Sequence, residues 1–545
     1  MTTVKQPVVV SELQSVAPLD QLPLPPLTWR SAWAAQLVSF ALSGWVGDPG
    51  ATLRKAGEIW RAHYPKPPKQ LRLLFPDPYT DGWTGEAVYV NSPRVVREMY
   101  NLPTGDLNHE QWKKAFVLVL GSYSPFYRTG RDHSRVRRAL AVELAPARVE
   151  RYRERSVKRL DEMIDQLPLG TPVALHEFYT RFTQDIILRV VFGWDDNNDL
   201  EAMRDCLYRA SQHYATRRLL GMLTYQLNAR IKLRAKGNEG IPGRDDVPLR
   251  ILRRSYRLRK QADDLLYRKI AELREHPNDS IASRLIEYGT REDPAWTERQ
   301  LRDIVVTLLV AGHDTSVLAY AWATQHLMHD PGPRKKLIAE ALEGRSDRYA
   351  QAANTEALRM NAPVIAALPS PLDHDIELVG YRIPRGTLLF LMVSAVHQDE
   401  ELYPEPTEFR PERWLENRPD RYGFLGFGAG PHRCPGSPFY LVEAGIVLHR
   451  MFGRLELEPC RARVDKALFI FGTVSRPRSD TKVIIRSRRA ADEVPWYRPG
   501  HDDPSTPLNE GLLPLDAEYH QAATGCPYSE VSQQRESSPG AGPFR

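Results

Sequence analysis

One cysteine sits in the most constrained stretch of the sequence, Phe427-Gly428-Ala429-Gly430-Pro431-His432-Arg433-Cys434-Pro435-Gly436. Three glycines and two prolines within ten residues dictate a tight, irregular backbone. The apolar run 439–452 follows and reads as a helix. Cys434 therefore stands just before a helix N-terminus, where free backbone N–H groups and the helix dipole favour a thiolate. His432 and Arg433 add nearby donors. A lone thiolate held this way suits a nucleophile or a metal ligand. A loop cysteine with no role is the plain alternative.

Three further clusters carry chemical side chains. Ala311-Gly312-His313-Asp314-Thr315-Ser316 interrupts an almost wholly apolar run, 305–311, within one long helical pattern. A glycine, an acid and a hydroxyl in mid-helix are costly to bury. They mark either internal hydrogen bonding or a chemical role. Glu356 and Arg359 are three apart, so on a helix they share a face and can pair. Asp132-His133-Ser134-Arg135-Val136-Arg137-Arg138 is a basic helical stretch that could face anionic groups.

The spacing Phe427-x-x-Gly430-x-x-x-Cys434-x-Gly436 resembles the haem-ligand loop of the cytochromes P450, the haem-thiolate monooxygenases. The resemblance extends over roughly residues 50–490 and keeps four motifs in the family's order. It implies haem b with Cys434 as the axial iron ligand. Phe427, Gly428, Gly430, His432 and Gly436 would then cradle the ligand. Ala311 and Gly312 would cross the distal haem face, the glycine letting the helix open. Asp314 and Thr315 match the catalytic proton-relay pair, while His313 falls at a variable position. Glu356, Arg359 and Arg413 (in Pro411-Glu412-Arg413-Trp414) match a buried ion network that does no chemistry. His133 and Arg137 would hold the haem propionates, with a generic basic helix as the alternative.

The resemblance also implies a distal pocket of Thr307, Val310, Ala311, Val364, Ala366, Ala367 and Phe471. Its mostly apolar lining points to a lipophilic small-molecule substrate. The expected reaction is hydroxylation or epoxidation with O2. A tail of about 55 residues is too short for a flavin or nucleotide domain. Electrons are therefore expected from a separate ferredoxin and reductase, docking near His432, Arg433 and Lys114. The rival readings are a peroxygenase, an isomerase or dehydratase, and a non-catalytic haem- or lipophile-binding protein. Two places depart from the family: Ser370 stands where an arginine usually meets a propionate, and the link from Lys336 to Glu356 is short.

These groups need a frame to position them. Helical periodicity is expected around 133–144, 149–166, 177–192, 202–223, 249–276, Glu298–His329 and Arg348–Met360. Ser92-Pro93 starts a helix with a serine cap and a first-turn proline. Residues 71–76 and 87–91 read as paired strands around Asp81-Gly82. Further strands are expected at 376–383, 387–393, 469–471 and 482–486. The fold class is mainly α with a minor antiparallel sheet, the cytochrome P450 fold. One domain is expected over 31–490, between an irregular lead (1–30) and a Pro/Gly-rich tail (491–545) that is disordered or draped.

Composition agrees with a globular enzyme. The chain has 545 residues, 42% apolar and 26% charged, with a net charge of +6, which excludes collagen, coiled coil and wholesale disorder. The four cysteines (Cys206, Cys434, Cys460, Cys526) form no CxxC. A disulfide framework is therefore not expected, and a reducing, cytoplasmic setting is. Residues 217–260 hold thirteen basic residues against three acids, read as a solvated face or a surface for an anionic partner. Without aromatic interleaving they do not suggest nucleic acid. No transmembrane anchor is expected. The uncharged stretch 31–46 reads as an amphipathic helix, with peripheral membrane contact as its alternative.

Overall fold

The structure is a computed structural model that describes residues 23–24, 57–63, 86–102, 120–126, 128, 130–194, 197–216, 250–292, 294–364, 370–416, 420, 422–470 and 474–497. The lead apart from residues 23–24, the strand expected at 71–76, most of the basic run (217–249) and the tail beyond 497 lie outside them. So do Lys114, Ala366, Ala367 and Phe471.

In chain order the elements are β1 (Ile59–His63), β2 (Glu86–Val90), α1 (Pro93–Asn101), α2 (Gly130–Glu143), α3 (Arg153–Asp165), β3 (Pro172–Ala174), α4 (Leu175–Phe192), α5 (Asn198–Thr216), α6 (Arg250–Glu275), α7 (Ile281–Arg291), α8 (Glu298–His329), α9 (Pro331–Glu343), α10 (Arg348–Met360), β4 (Ser370–Pro371), β5 (Ile376–Leu378), β6 (Tyr381–Ile383), β7 (Leu388–Leu391), α11 (Val393–His397), α12 (Arg413–Glu416), α13 (Ser437–Arg454), β8 (Leu455–Pro459), β9 (Ala467–Ile470), β10 (Val474–Pro477) and β11 (Lys482–Arg488). Ser92 caps α1 by accepting from Val95 N at 3.4 Å, ahead of Pro93. Thr297 and Gln300 form a capping box at the start of α8.

Helix α8 is the axis of the molecule. It packs on α4, α6, α7, α9, α10 and α13, and most of its length is buried. Among the described residues it alone is long and apolar enough to cross a membrane, yet 67% of its most apolar window is buried. That is the behaviour of a core helix. Two apolar cores result. The larger joins the helices; the smaller joins α1 to the sheet β1-β2-β7-β4.

Sheet pairing differs from the sequence expectation in three ways. Strand β2 is flanked by β1 (antiparallel) and β7 (parallel), so the sheet is not purely antiparallel. The β2–β7 pair joins strands on either side of helices α1 to α10, a long-range pairing with no local signature. The run 376–383 is not one strand but a hairpin, β5–β6. Its two-residue turn, Val379-Gly380, has φ of 48° and 82°, the backbone of a primed hairpin turn. The run 387–393 ends early because Val393 already starts α11.

The chain then packs back on itself after β11. Val494 is buried against Gly453 and Ala341, where a side chain on Gly453 would collide with it. Arg450 donates to the carbonyls of Ala491 (3.0 Å) and Val494 and grips both carboxylate oxygens of Asp161 at 2.7 and 2.8 Å. Pro495 covers Gly344, and Tyr497 lies beside the Arg153 guanidinium. The opening of the tail, 491–497, is thus folded onto α3, α9 and α13.

Candidate active site

The loop before α13 is held between the two cores. Phe424 and Phe427 pack into the helical core, while Tyr422, Leu425 and Ala429 belong to the sheet core. Its backbone folds through left-handed glycines at Gly428 (φ 72°) and Gly430 (φ 64°). A side chain on Gly430 would collide with the Tyr100 ring, so α1 also braces the loop. Gly428 N donates to Leu425 O (2.9 Å), and Cys434 N closes the loop on Phe427 O (2.8 Å).

Cys434 is half-buried, with its sulfur toward the start of α13. Burial pushes its thiol above the usual pKa; the Gly436 amide, Arg137, Arg433 and the Ser437 amide each pull it down. Arg137 forms no ion pair among the described residues. The His133 ring stacks on His432 at 4.2 Å between centroids. Helix α2 therefore brings His133 and Arg137 to the Cys434 loop.

Glu356 is fully buried and fully used. Arg359 Nε and Nη2, Arg413 Nε and Trp414 Nε1 each donate to it at 2.9 Å, and Arg410 N does so at 3.1 Å. Arg359 also donates to His397 O at 2.9 Å. His397 Nδ1 donates back to Arg359 O (3.1 Å), and its Nε2 accepts from Leu425 N at 2.8 Å. Burial, with the Arg359 charge, drives the His397 pKa down to about 3, so the ring is neutral and can accept. This histidine links the Glu356 network to the cysteine loop. Sequence reading missed it, because its partners lie 28 and 38 residues away and no local spacing marks it.

The short link toward Glu356 is resolved by a compact corner. Helices α9 and α10 are joined by 344–347, and Glu340 caps α10 by accepting from Tyr349 N (2.8 Å) and Ala350 N (3.0 Å). Ser370 begins β4, paired with Leu389 of β7.

In the middle of α8 the packing around the helix is interrupted. Ala311, Asp314 and Thr315 are exposed and Val310 and Gly312 are half-buried, whereas the helix is buried on both sides of them. Val364, 42% exposed, is bridged to Val474. The helix runs unbroken through Gly312. The glycine serves close packing instead of an opening: a side chain there would meet Ile187 Cδ1 of α4 at 2.4 Å. Thr315 Oγ1 donates to Ala311 O at 2.7 Å. His313 Nε2 lies 2.9 Å from Asp314 Oδ1. Thr307 does not share this opening. It is buried, and its hydroxyl bridges Asp303 O (2.6 Å) and Ser124 Oγ (2.8 Å), tying α8 to the loop 120–126.

The donor set fits a metal that brings its own ring of ligands. Among the described residues no three His, Cys, Asp or Glu side chains converge on a bare ion. One sulfur, backed by amides and an unmatched arginine, suits a haem.

The comparisons decide the family. The cytochrome P450 family profile matches residues 82–485. The chain belongs to the cytochrome P450 family. A Mycobacterium tuberculosis protein provisionally named cytochrome P450 137 is 28% identical over 420 residues, covering 74% of this chain and 82% of the relative. Another from the same organism, provisionally named cytochrome P450 135A1, is 26% identical over 408 residues with the same coverage. The structure of retinoic acid bound cyanobacterial CYP120A1 aligns with a TM-score of 0.65 at 18% identity, covering 86% of this chain and all of that one. This P450 is accordingly a haem-thiolate monooxygenase.

Proposed function

We propose that this P450 binds haem b through Cys434 and hydroxylates or epoxidises a lipophilic small molecule, drawing electrons from a separate ferredoxin and reductase. The observation that carries the reading is the exposed strip in the middle of α8. It offers an acid and a hydroxyl, Asp314 and Thr315, beside Val310 and Ala311 of the same helix. The haem, when bound, supplies the oxygen-activating chemistry. The chain supplies the rest. Arg137 and His133 hold the propionates, and Gly428, Gly430 and Gly436 let the loop approach. The apolar side chains exclude water and orient the substrate carbon. Asp314 and Thr315 hold and pass protons on the distal side.

His432 and Arg433 stand partly exposed on the Cys434 loop, a charge pattern that complements an acidic donor protein. Cys206, Cys434 and Cys460 are free thiols, which supports a cytoplasmic setting.

The test is turnover of a lipophile library under 18O2 with ferredoxin and reductase. One labelled oxygen per product is expected. Product with peroxide alone and none with ferredoxin would make the protein a peroxygenase. A spectral shift on ligand binding without any product would make it a binding protein. The Cys434→Ala variant, as control, loses the carbon monoxide difference band of a thiolate-ligated haem.

A further inference from the structure

His313 has no part in the proton pathway just described, yet it is the residue against which Asp314 rests. Its ring is buried, 3% exposed. Nδ1 lies 3.1 Å from Leu309 O. A carbonyl only accepts, so Nδ1 carries a hydrogen. Nε2 then lies 2.9 Å from Asp314 Oδ1. The oxygen sits off the ring N–H axis, so Nε2 gains no hydrogen bond of proper angle and the contact is one of charge. With Nε2 unprotonated and Asp314 ionised, a lone pair would face a carboxylate oxygen inside the fold. One proton on either atom removes that repulsion.

We propose that His313 and Asp314 hold one shared proton beside Thr315, and that His313, acting through Asp314, reloads the relay. His313 is a positioning residue in this role, and the proposal rests on the monooxygenase reading above. The step is a proton transfer with no change of electron count. A proton leaving Asp314 toward Thr315 leaves a neutral imidazole facing a carboxylate. A proton taken up from water restores imidazolium against carboxylate, and the repulsion in the emptied state drives that uptake.

The surroundings agree. Burial disfavours the charge on His313, but the Asp314 carboxylate outweighs it and holds the imidazole above its ordinary pKa. Burial likewise opposes ionisation of Asp314, and His313 and then His176 overcome it, leaving the carboxyl below its usual value. His176, on α4, is the other titratable group facing Asp314. Burial and Arg476 hold it below the usual imidazole range, against Asp480, Asp314 and Glu177. Its proton affinity is lowered while that of His313 is raised, so of the two imidazoles His313 takes the proton.

The test uses the full chain with haem bound. In the diamagnetic ferrous carbon monoxide form, 13C-histidine NMR of the wild type and His313→Gln assigns the His313 signal among the fifteen histidines. Its midpoint is expected above the ordinary ~6.5, and Asp314→Asn lowers its proton affinity about tenfold or more. A midpoint unmoved by Asp314→Asn overturns the pairing. The second readout is oxidation of reductant under air, driven by a plant-type ferredoxin and its reductase. The wild-type rate falls about tenfold per pH unit above the His313 midpoint, and His313→Gln loses that limb. The same limb in His313→Gln overturns the relay role. If the wild type oxidises no reductant at any pH, the monooxygenase reading falls instead, and the NMR titration still decides the pairing.

Discussion

The two sides of the site are built on opposite plans. On the cysteine side, the loop backbone is pinned at Leu425, Gly428, Arg433 and Cys434, and the nearby Glu356 accepts five hydrogen bonds. On the α8 side, Asp314 and Thr315 are left exposed, and Nε2 of His313 meets its partner off axis. A ligand must be held in one place, so its scaffold is over-determined. In the relay proposed above a proton must arrive and leave, so its carriers would keep bonding capacity in reserve.

The comparison breaks most visibly at Glu356. Glu356→Ala leaves Arg359 and Arg413 buried without their carboxylate, at a cost of about 3–5 kcal/mol. Denaturant unfolding and haem retention should both collapse. A loss below about 1 kcal/mol would show that the network is not what pins the loop. A smaller effect, opposite in sign, arises at Glu443, on α13. Its only described partner is Tyr320, whose hydroxyl donates at 2.7 Å, and burial pushes its pKa up to about 7. An unfolded glutamate ionises near 4.5. The folded state therefore binds the extra proton, and stability is lost as pH rises from 4.5 through 7. Glu443→Gln should stabilise by roughly 3 kcal/mol at pH 8 and change nothing at pH 4, measured by urea unfolding at both.

The distal side responds differently. Thr315→Ala should leave the carbon monoxide band and the unfolding midpoint near wild type while product per reductant falls about tenfold, a ~1.4 kcal/mol change in partitioning. Unchanged coupling would remove Thr315 from the relay. The smallest effect is expected at Gly312→Ala. The new methyl meets only the end of a flexible isoleucine, and the gain of about 1 kcal/mol in helix propensity offsets much of the crowding. A net loss within about 1 kcal/mol, relieved by Ile187→Val, sharpens the view that this glycine serves packing.

What could be read from sequence follows the range of the interactions. The bounds of α8 and α10 coincide with their periodicity, since a helix is written in contacts three and four residues apart. The Ser92-Pro93 start and the glycine loop around Cys434 are equally local. The β2–β7 pairing, the brace from Tyr100 to Gly430 and the His397 bridge are set by contacts across tens to hundreds of residues, which leave no periodic trace. The hairpin at 376–383 was hidden for another reason: Val379 sits at φ 48°, a conformation its side chain disfavours, and its N–H donates to Glu98 at 2.9 Å. For Thr307, periodicity gives the face of the helix but not what covers it or that its hydroxyl meets Asp303 O and Ser124 Oγ.

The strap at 491–497 sets the order in which the molecule can be finished during synthesis. Arg450 grips Asp161, from the first third of the chain, and carbonyls from Ala491 and Val494. The helical core can form earlier, but α13 keeps an uncovered face until residue 494 has left the ribosome. Covering of α13 thus waits for residue 494 to be made, and pairings so distant in sequence close slowly. A nascent chain paused before that point would present an unfinished α13 to the chaperones around it.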